Sequence, residues 1–233
     1  MKIIVPLAGP DFEIGNGRTK SEVQFCGRPL LRSAIESRPW WKDSSISSKD
    51  LIFILQDRIT SRFFAENVLK EWYPFSKVVL LGTFAKGAAL SALAGLSLIS
   101  DANEMICVDL ADILYTLKGS NIYMDSKDGG IVLVFKSDNP IYSYLKTDAE
   151  GRVLEAAEKR VISDKASAGT YFFKSPSVML RALADNLDHE HEVLHRGLFY
   201  VCPMMNGVVS QGLTVRTVNV TDVTEIKTQI KQE

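Results

Sequence analysis

Three short stretches of this sequence hold residue types that chemistry needs. Asp109 and Asp112 stand just past the apolar run 105–108. Hard oxygen ligands at such a place suit Mg²⁺ or Mn²⁺, which bridge phosphate oxygens and neutralise developing charge. A loop aspartate capping the next turn has the same look. Gly9, Gly15 and Gly17 follow the apolar run 2–7, with Arg18 and Lys20 just beyond. A glycine loop leaving a buried strand, with cations at its end, cradles phosphates by letting backbone approach the ligand. A plain surface loop is the other reading. His191-Glu192-Val193-Leu194-His195 spells H-E-x-x-H, which on a helix holds zinc beside a general base. No long amphipathic run precedes it, Arg196-Gly197 follows at once, and no third ligand is evident, so a solvent-exposed polar segment accounts for it better.

The elements that must position these residues alternate. Residues 2–7, 51–55, 77–81 and 105–108 read as short buried strands. Between them, 29–37, 57–71 and 87–100 read as helices, and 40–49 as a polar loop carrying two tryptophans. Strand and helix at this rhythm predict βαβ units and a largely parallel sheet. Further on, 130–136, 142–147, 152–157, 169–174 and 213–220 read as strands. The turn 148–151 joins two of them as a hairpin. Residues 176–186 and 223–230 read as helices. No linker rich in Pro, Gly or Ser marks a boundary, so the expectation is one domain over 1–233, with 1–115 and 116–233 as its two halves.

Hydrophobic residues make up 46% of the 233 and charged residues 24%, ample for a core. A net charge of −1 argues against a broadly basic nucleic-acid binder. There is no signal-peptide pattern and no apolar run long enough for a membrane, and the three cysteines show no C-x-x-C spacing. The expectation is a cytoplasmic protein.

Longer patterns carry a resemblance. Leu7-Ala8-Gly9 heads the first loop, Lys20 stands seven residues before Gly27, and Gly27-Arg28-Pro29-Leu30-Leu31 closes the stretch. This resembles the sugar-phosphate nucleotidyltransferases, which open with a strand, then L-A-G-G-x-G-x-R, then P-K-x-x-x-x-x-x-G-x-P-L-L. Later, Asp148-Ala149-Glu150-Gly151-Arg152-Val153, Glu158-Lys159 and Gly169-Thr170-Tyr171-Phe172-Phe173 follow that family's D-x-x-G-x-V, E-K and G-x-Y-x-F in order. The segment from Tyr200 to Asn206 is similar to the Y-x-x-P-x-x-N stretch of related sugar-nucleotide enzymes. The first loop departs from the pattern. Thr19 replaces a proline, Asp11 falls on the second glycine and Glu13 on the arginine. Acidic groups at a triphosphate repel it.

The resemblance implies a three-layer α/β sandwich, a Rossmann-like, glycosyltransferase-A-like fold with a mostly parallel mixed sheet. It implies a reaction between a nucleoside triphosphate and a sugar phosphate that gives a nucleoside-diphosphate sugar and pyrophosphate, as in polysaccharide biosynthesis. Arg18 and Lys20 would hold the triphosphate. Leu7, Ala8, Gly9, Gly87 and Ala88 would border the nucleotide, although close helix–sheet packing explains Gly87-Ala88-Ala89 as well. Glu158, Lys159, Gly169, Tyr200 and Asn206 would border the sugar. A carboxylate suits hydroxyls and a lysine suits phosphate, whereas a solvated ion pair at a strand end is the plain alternative for Glu158-Lys159. Asp112 would hold Mg²⁺ or Mn²⁺, with Asp109 as its rival. Asp222 is a second ligand or the N-cap of the closing helix. No added C-terminal β-helix or acetyltransferase activity is expected, and a homo-oligomer is compatible with the sequence. Transfer of a sugar from a nucleotide sugar, or non-catalytic binding of one, stays open beside the main reading.

Overall fold

A computed structural model of the protein describes residues 1–118 and 122–225. Nine strands form the central sheet: β1 Lys2–Pro6, β2 Leu51–Gln56, β3 Lys77–Leu81, β4 Ile106–Asp109, β5 Asp128–Lys136, β6 Tyr144–Thr147, β7 Val153–Ala157, β8 Lys165–Phe173 and β9 Thr214–Asn219. The strands run in the order β3-β2-β1-β4-β8-β5-β9. Strands β3, β2, β1 and β4 are parallel. Strand β8 runs against both β4 and β5, and β9 is parallel to β5. The β6–β7 hairpin joins β8 at its first half, where Tyr144 meets Ala166.

Strands β1, β2 and β4 are buried on both faces and are nearly continuous apolar runs, whereas the edge strand β3 is partly exposed. In β1 the pleat sends Ile4 to one layer and Ile3 and Val5 to the other. On the Ile4 face pack three helices: α2 Ala88–Leu96, α3 Pro176–Asp188 and α4 Met204–Ser210. On the other face pack α1 Leu30–Ser37 and a helix that runs Ile59–Phe63, widens to π-helical geometry over Phe64–Leu69 and ends with Lys70–Trp72. The result is the expected three-layer sandwich. A Cβ at Gly95 of α2 would stand 2.9 Å from the Ile4 side chain, so the small residues of this helix set its close approach to the sheet.

Four local features differ from the sequence expectations. The predicted loop 40–49 begins in a helical turn, Pro39–Lys42, whose Trp40 is buried against Phe172. The first loop folds into two small hairpins, Glu13–Gly15 with Arg18–Thr19 and Gln24–Phe25 with Arg28–Pro29. Asn16-Gly17 and Cys26-Gly27 fill their two-residue turns, all four at positive φ. Residues 204–210 form α4, a helix that sequence periodicity did not single out. The helix expected over 223–230 begins instead as a strand, Thr221–Glu225, antiparallel to Ile113–Thr116. The rest of that expected helix lies outside the described residues.

Candidate active site

Two adjoining cavities open at the carboxyl ends of β1 and β4, where ligands of open α/β sheets bind. The first, about 220 Å³, is lined by Leu7, Gly9, Asp11, Lys20, Leu30 and Leu31, among others. The second, about 90 Å³, is lined by Tyr142, Ser143, Glu158, Lys159, Gly169 and Tyr171, among others. Ala88, Leu110, Asp112 and Tyr200 line both. Asp112 therefore stands at the junction.

The loop that carries Asp112 is held from several sides. Leu110 N donates to Gly169 O at 2.9 Å. Gly169 has φ +76°, and a Cβ there would stand 3.0 Å from Asp112 Oδ1, so glycine is needed beneath the carboxylate. Asp109 faces another way. Arg38 Nε donates to its Oδ2 at 2.8 Å and Arg38 Nη2 to its Oδ1 at 3.0 Å. Both residues are buried, and Asp109 lines neither cavity. Burial opposes the Arg38 charge, but Asp109 and Tyr115 hold its pKa above the ordinary value. Of the rival aspartates, Asp112 faces the cavities and Asp109 forms an internal ion pair.

The first loop is divided by the same kind of geometry. Lys20 lines the first cavity and forms an ion pair with Asp11, which lines it too. Arg18 is exposed on the hairpin and lines neither cavity. Gly15 and Gly17 serve that hairpin's turn, so of the three loop glycines only Gly9 borders the space. Glu13 lines neither cavity and accepts from Ser61 N at 3.1 Å and Ser61 Oγ at 2.7 Å, capping the helix that begins at Ile59. Ala8 is buried and lines neither cavity. Gly87 precedes α2 at φ +108°, and a Cβ there would stand 2.1 Å from Phe199 O. It brings the α2 start, with Ala88, against the segment that presents Tyr200.

In the second cavity the Ser143 hydroxyl donates to Glu158, and Lys159 Nζ lies 3.6 Å from Glu158 Oε1. Burial pushes the Glu158 pKa up, against the pull of Ser143, Lys159 and His195. The Lys159 ammonium also donates to Ile141 O. Asn206 is not in this cavity. Its side chain joins the Ala156 backbone, accepting from Ala156 N at 2.7 Å and donating to Ala156 O at 2.9 Å. It lies within α4. Asp222 sits at φ +52° in the strand Thr221–Glu225 and lines neither cavity; it begins no helix. His191 belongs to the short helix Glu190–Val193 and His195 to an extended bridge with Leu198, so no helix face presents both.

Three lining residues carried no sequence signal: Asp11 as a partner of Lys20, and Ser143 and Tyr142 beside Glu158. Among the described residues no three His, Cys, Asp or Glu side chains form a metal cluster. That donor set still fits Mg²⁺, which takes one or two carboxylates and completes its shell with water and substrate phosphates. Asp112 offers such a carboxylate.

No protein-family model and no curated protein matches the chain in sequence. Solved structures do match its fold. The nucleoside-diphosphate-sugar pyrophosphorylase from Vibrio cholerae RC9 is 22% identical, with 100% of each chain covered and a TM-score of 0.77. The inositol-1-phosphate CTP transferase from T. maritima is 14% identical, with 96% of this chain and 86% of that one covered and a TM-score of 0.70. A putative glucose-1-phosphate thymidylyltransferase from Bacillus anthracis is 16% identical, with 99% and 92% covered and a TM-score of 0.69. The chain has the fold of the sugar nucleotidyltransferases, as the sequence resemblance implied. Among its described residues no helix is long and apolar enough to cross a membrane.

Proposed function

We propose that this chain is a sugar-phosphate nucleotidyltransferase. One observation carries the reading. Asp112 stands where a cavity bordered by the first loop meets a cavity bordered by Glu158 and Lys159. A triphosphate and a sugar phosphate lying in the two would bring their phosphates together at that carboxylate. An oxygen of the sugar phosphate attacks the α-phosphorus in line, and pyrophosphate leaves. Such a transfer asks for positioning and charge neutralisation more than covalent chemistry.

The chain's groups divide this work. Lys20 holds the triphosphate from the first loop, with Leu7, Gly9 and Ala88 bordering the nucleotide. Glu158 accepts from sugar hydroxyls, Lys159 reaches the sugar phosphate, and Tyr200 walls both ligands. Asp112 would hold Mg²⁺, which when bound neutralises charge on the phosphates. Arg18, Asp109, Asn206 and Asp222 have no direct part in this scheme. The fold neighbours include a CTP transferase and a protein described as a glucose-1-phosphate thymidylyltransferase, so the fold by itself does not choose the base.

The test is a thermal-shift screen of nucleoside triphosphates, sugar phosphates and nucleotide sugars, each with and without Mg²⁺, followed by a pyrophosphate-release assay. One triphosphate should raise the melting temperature in a Mg²⁺-dependent way, and Asp112→Asn should abolish the shift and the release. Binding of nucleotide sugars alone, without pyrophosphate release, would replace this reading with sugar transfer or non-catalytic binding.

A further inference from the structure

We propose that Arg38 and Asp109 act as a clamp that holds Ala111 in a left-handed conformation and so fixes Asp112 at the cavity junction. The inference rests on the role proposed for Asp112. Ala111 has φ +52°, a region unfavourable to any residue with a Cβ unless its surroundings impose it. The surroundings here are explicit. Asp109 Oδ1 accepts from Ala111 N at 2.9 Å. Arg38 Nη2 donates to Ile113 O at 3.2 Å while also donating to Asp109. The pair thus grips the backbone immediately before and immediately after Asp112.

The grip is rigid because it is buried. Arg38 and Asp109 are 1% and 2% exposed, and the guanidinium lies 3.8 Å from the centre of the Tyr115 ring. Tyr115 in turn bonds Thr170 on β8 at 2.8 Å, next to the Gly169 that underlies Asp112. Arg38 directly follows α1, whose Leu30 and Leu31 line the nucleotide cavity. One side chain therefore ties the wall of that cavity to the Asp112 loop. Arg38 and Asp109 are positioning residues; neither reaches the cavities.

Amide hydrogen exchange on the unliganded wild-type protein tests the clamp without substrate. The Ala111 amide should exchange as slowly as that of Val108 in β4. Exchange at the rate of the exposed 101–103 turn would overturn the proposal. A second test replaces both charges together, Arg38→Met with Asp109→Leu, because apolar replacement of a whole buried pair spares the fold better than loss of one partner. Mg²⁺-dependent binding of ATP, CTP, GTP, UTP and dTTP is then titrated calorimetrically. The double variant should melt near the wild-type temperature yet bind the preferred triphosphate at least about tenfold more weakly. Adding Ala111→Gly should recover most of that loss, since glycine adopts the left-handed conformation unaided. Wild-type affinity in the double variant, or no recovery with glycine, would refute the clamp. If the wild-type protein binds none of these triphosphates, the functional reading falls instead, and amide exchange decides the clamp by itself.

Discussion

Lys20 and Asp11 form an ion pair at the first cavity, both carried by the first loop. Asp11 is mostly solvent-exposed, and exposed pairs are worth only about 0–1 kcal/mol, so a triphosphate can displace it from Lys20. The acidic residue then competes with the ligand rather than closing the site. Asp11→Asn should raise triphosphate affinity roughly 2–5-fold in dilute buffer, the factor equivalent to such a pair. The gain should shrink in about 0.5 M salt as screening takes over. Lys20→Ala should weaken binding in both conditions. Calorimetric titration at two ionic strengths checks this, and weaker binding by Asp11→Asn would show that its carboxylate assists the ligand.

Glu13 gives the opposite result from the same loop. It caps the helix beginning at Ile59 through Ser61, and neither residue lines the cavity. Glu13→Ala should therefore lower stability by about 0.5–2 kcal/mol, the range for loss of a cap. Triphosphate affinity should stay at the wild-type value. Urea unfolding and a binding titration on the same variant separate the two effects. A normal unfolding curve with altered affinity would place Glu13 in the site after all.

These two residues also show what sequence alone conveyed. The strand–helix rhythm made the parallel sheet legible, because its buried strands are apolar runs, and the family resemblance supplied the sandwich. Glu158, Lys159, Gly169 and Asp112 were legible through spaced motifs whose backbone is fixed by strand ends. Side-chain direction in the first loop was not legible, since the partners Asp11–Lys20 and Glu13–Ser61 are set by the hairpin. A signal for that hairpin was present in Asn16-Gly17, the turn dipeptide that reverses a two-residue hairpin. Reading that stretch as a phosphate cradle rather than as a surface loop pointed to Gly15, Gly17 and Arg18, none of which lines either cavity. The Asp109–Arg38 pair spans 71 residues and no local pattern announces it.

Glu158 should leave a mark on the pH dependence of stability. Burial raises its pKa above the ordinary value of 4.5. The folded protein therefore holds the Glu158 proton more tightly than the unfolded chain does. Its contribution is fully present below that ordinary value and is lost as pH rises through the folded-state value. Glu158→Gln, always neutral, should match wild type near pH 4 and become relatively more stable as pH rises towards 7. Sugar-phosphate binding should weaken in the same variant, since an amide accepts from hydroxyls less strongly than a carboxylate does. Melting curves from pH 4 to 7 test the first part, and a constant difference across that range would mean that Glu158 keeps an ordinary pKa.

Asn206 should behave as a structural residue although sequence resemblance put it beside the sugar. Its amide pairs with both the N–H and the C=O of Ala156 in β7, as a neighbouring strand would. Ala156 is buried, so Asn206→Ala strands two backbone groups away from water. The expected cost is about 1–3 kcal/mol for each unsatisfied group, lessened if water enters the adjoining polar cavity. Asn206→Asp keeps the acceptor for Ala156 N–H but presents its other oxygen to the Ala156 carbonyl. Protonation turns that oxygen into a donor, so this variant should regain stability as pH falls, while Asn206→Ala should not. Substrate affinity of the folded fraction should stay near wild type in both variants. A large loss of sugar-phosphate affinity with an unchanged unfolding midpoint would return Asn206 to the binding site.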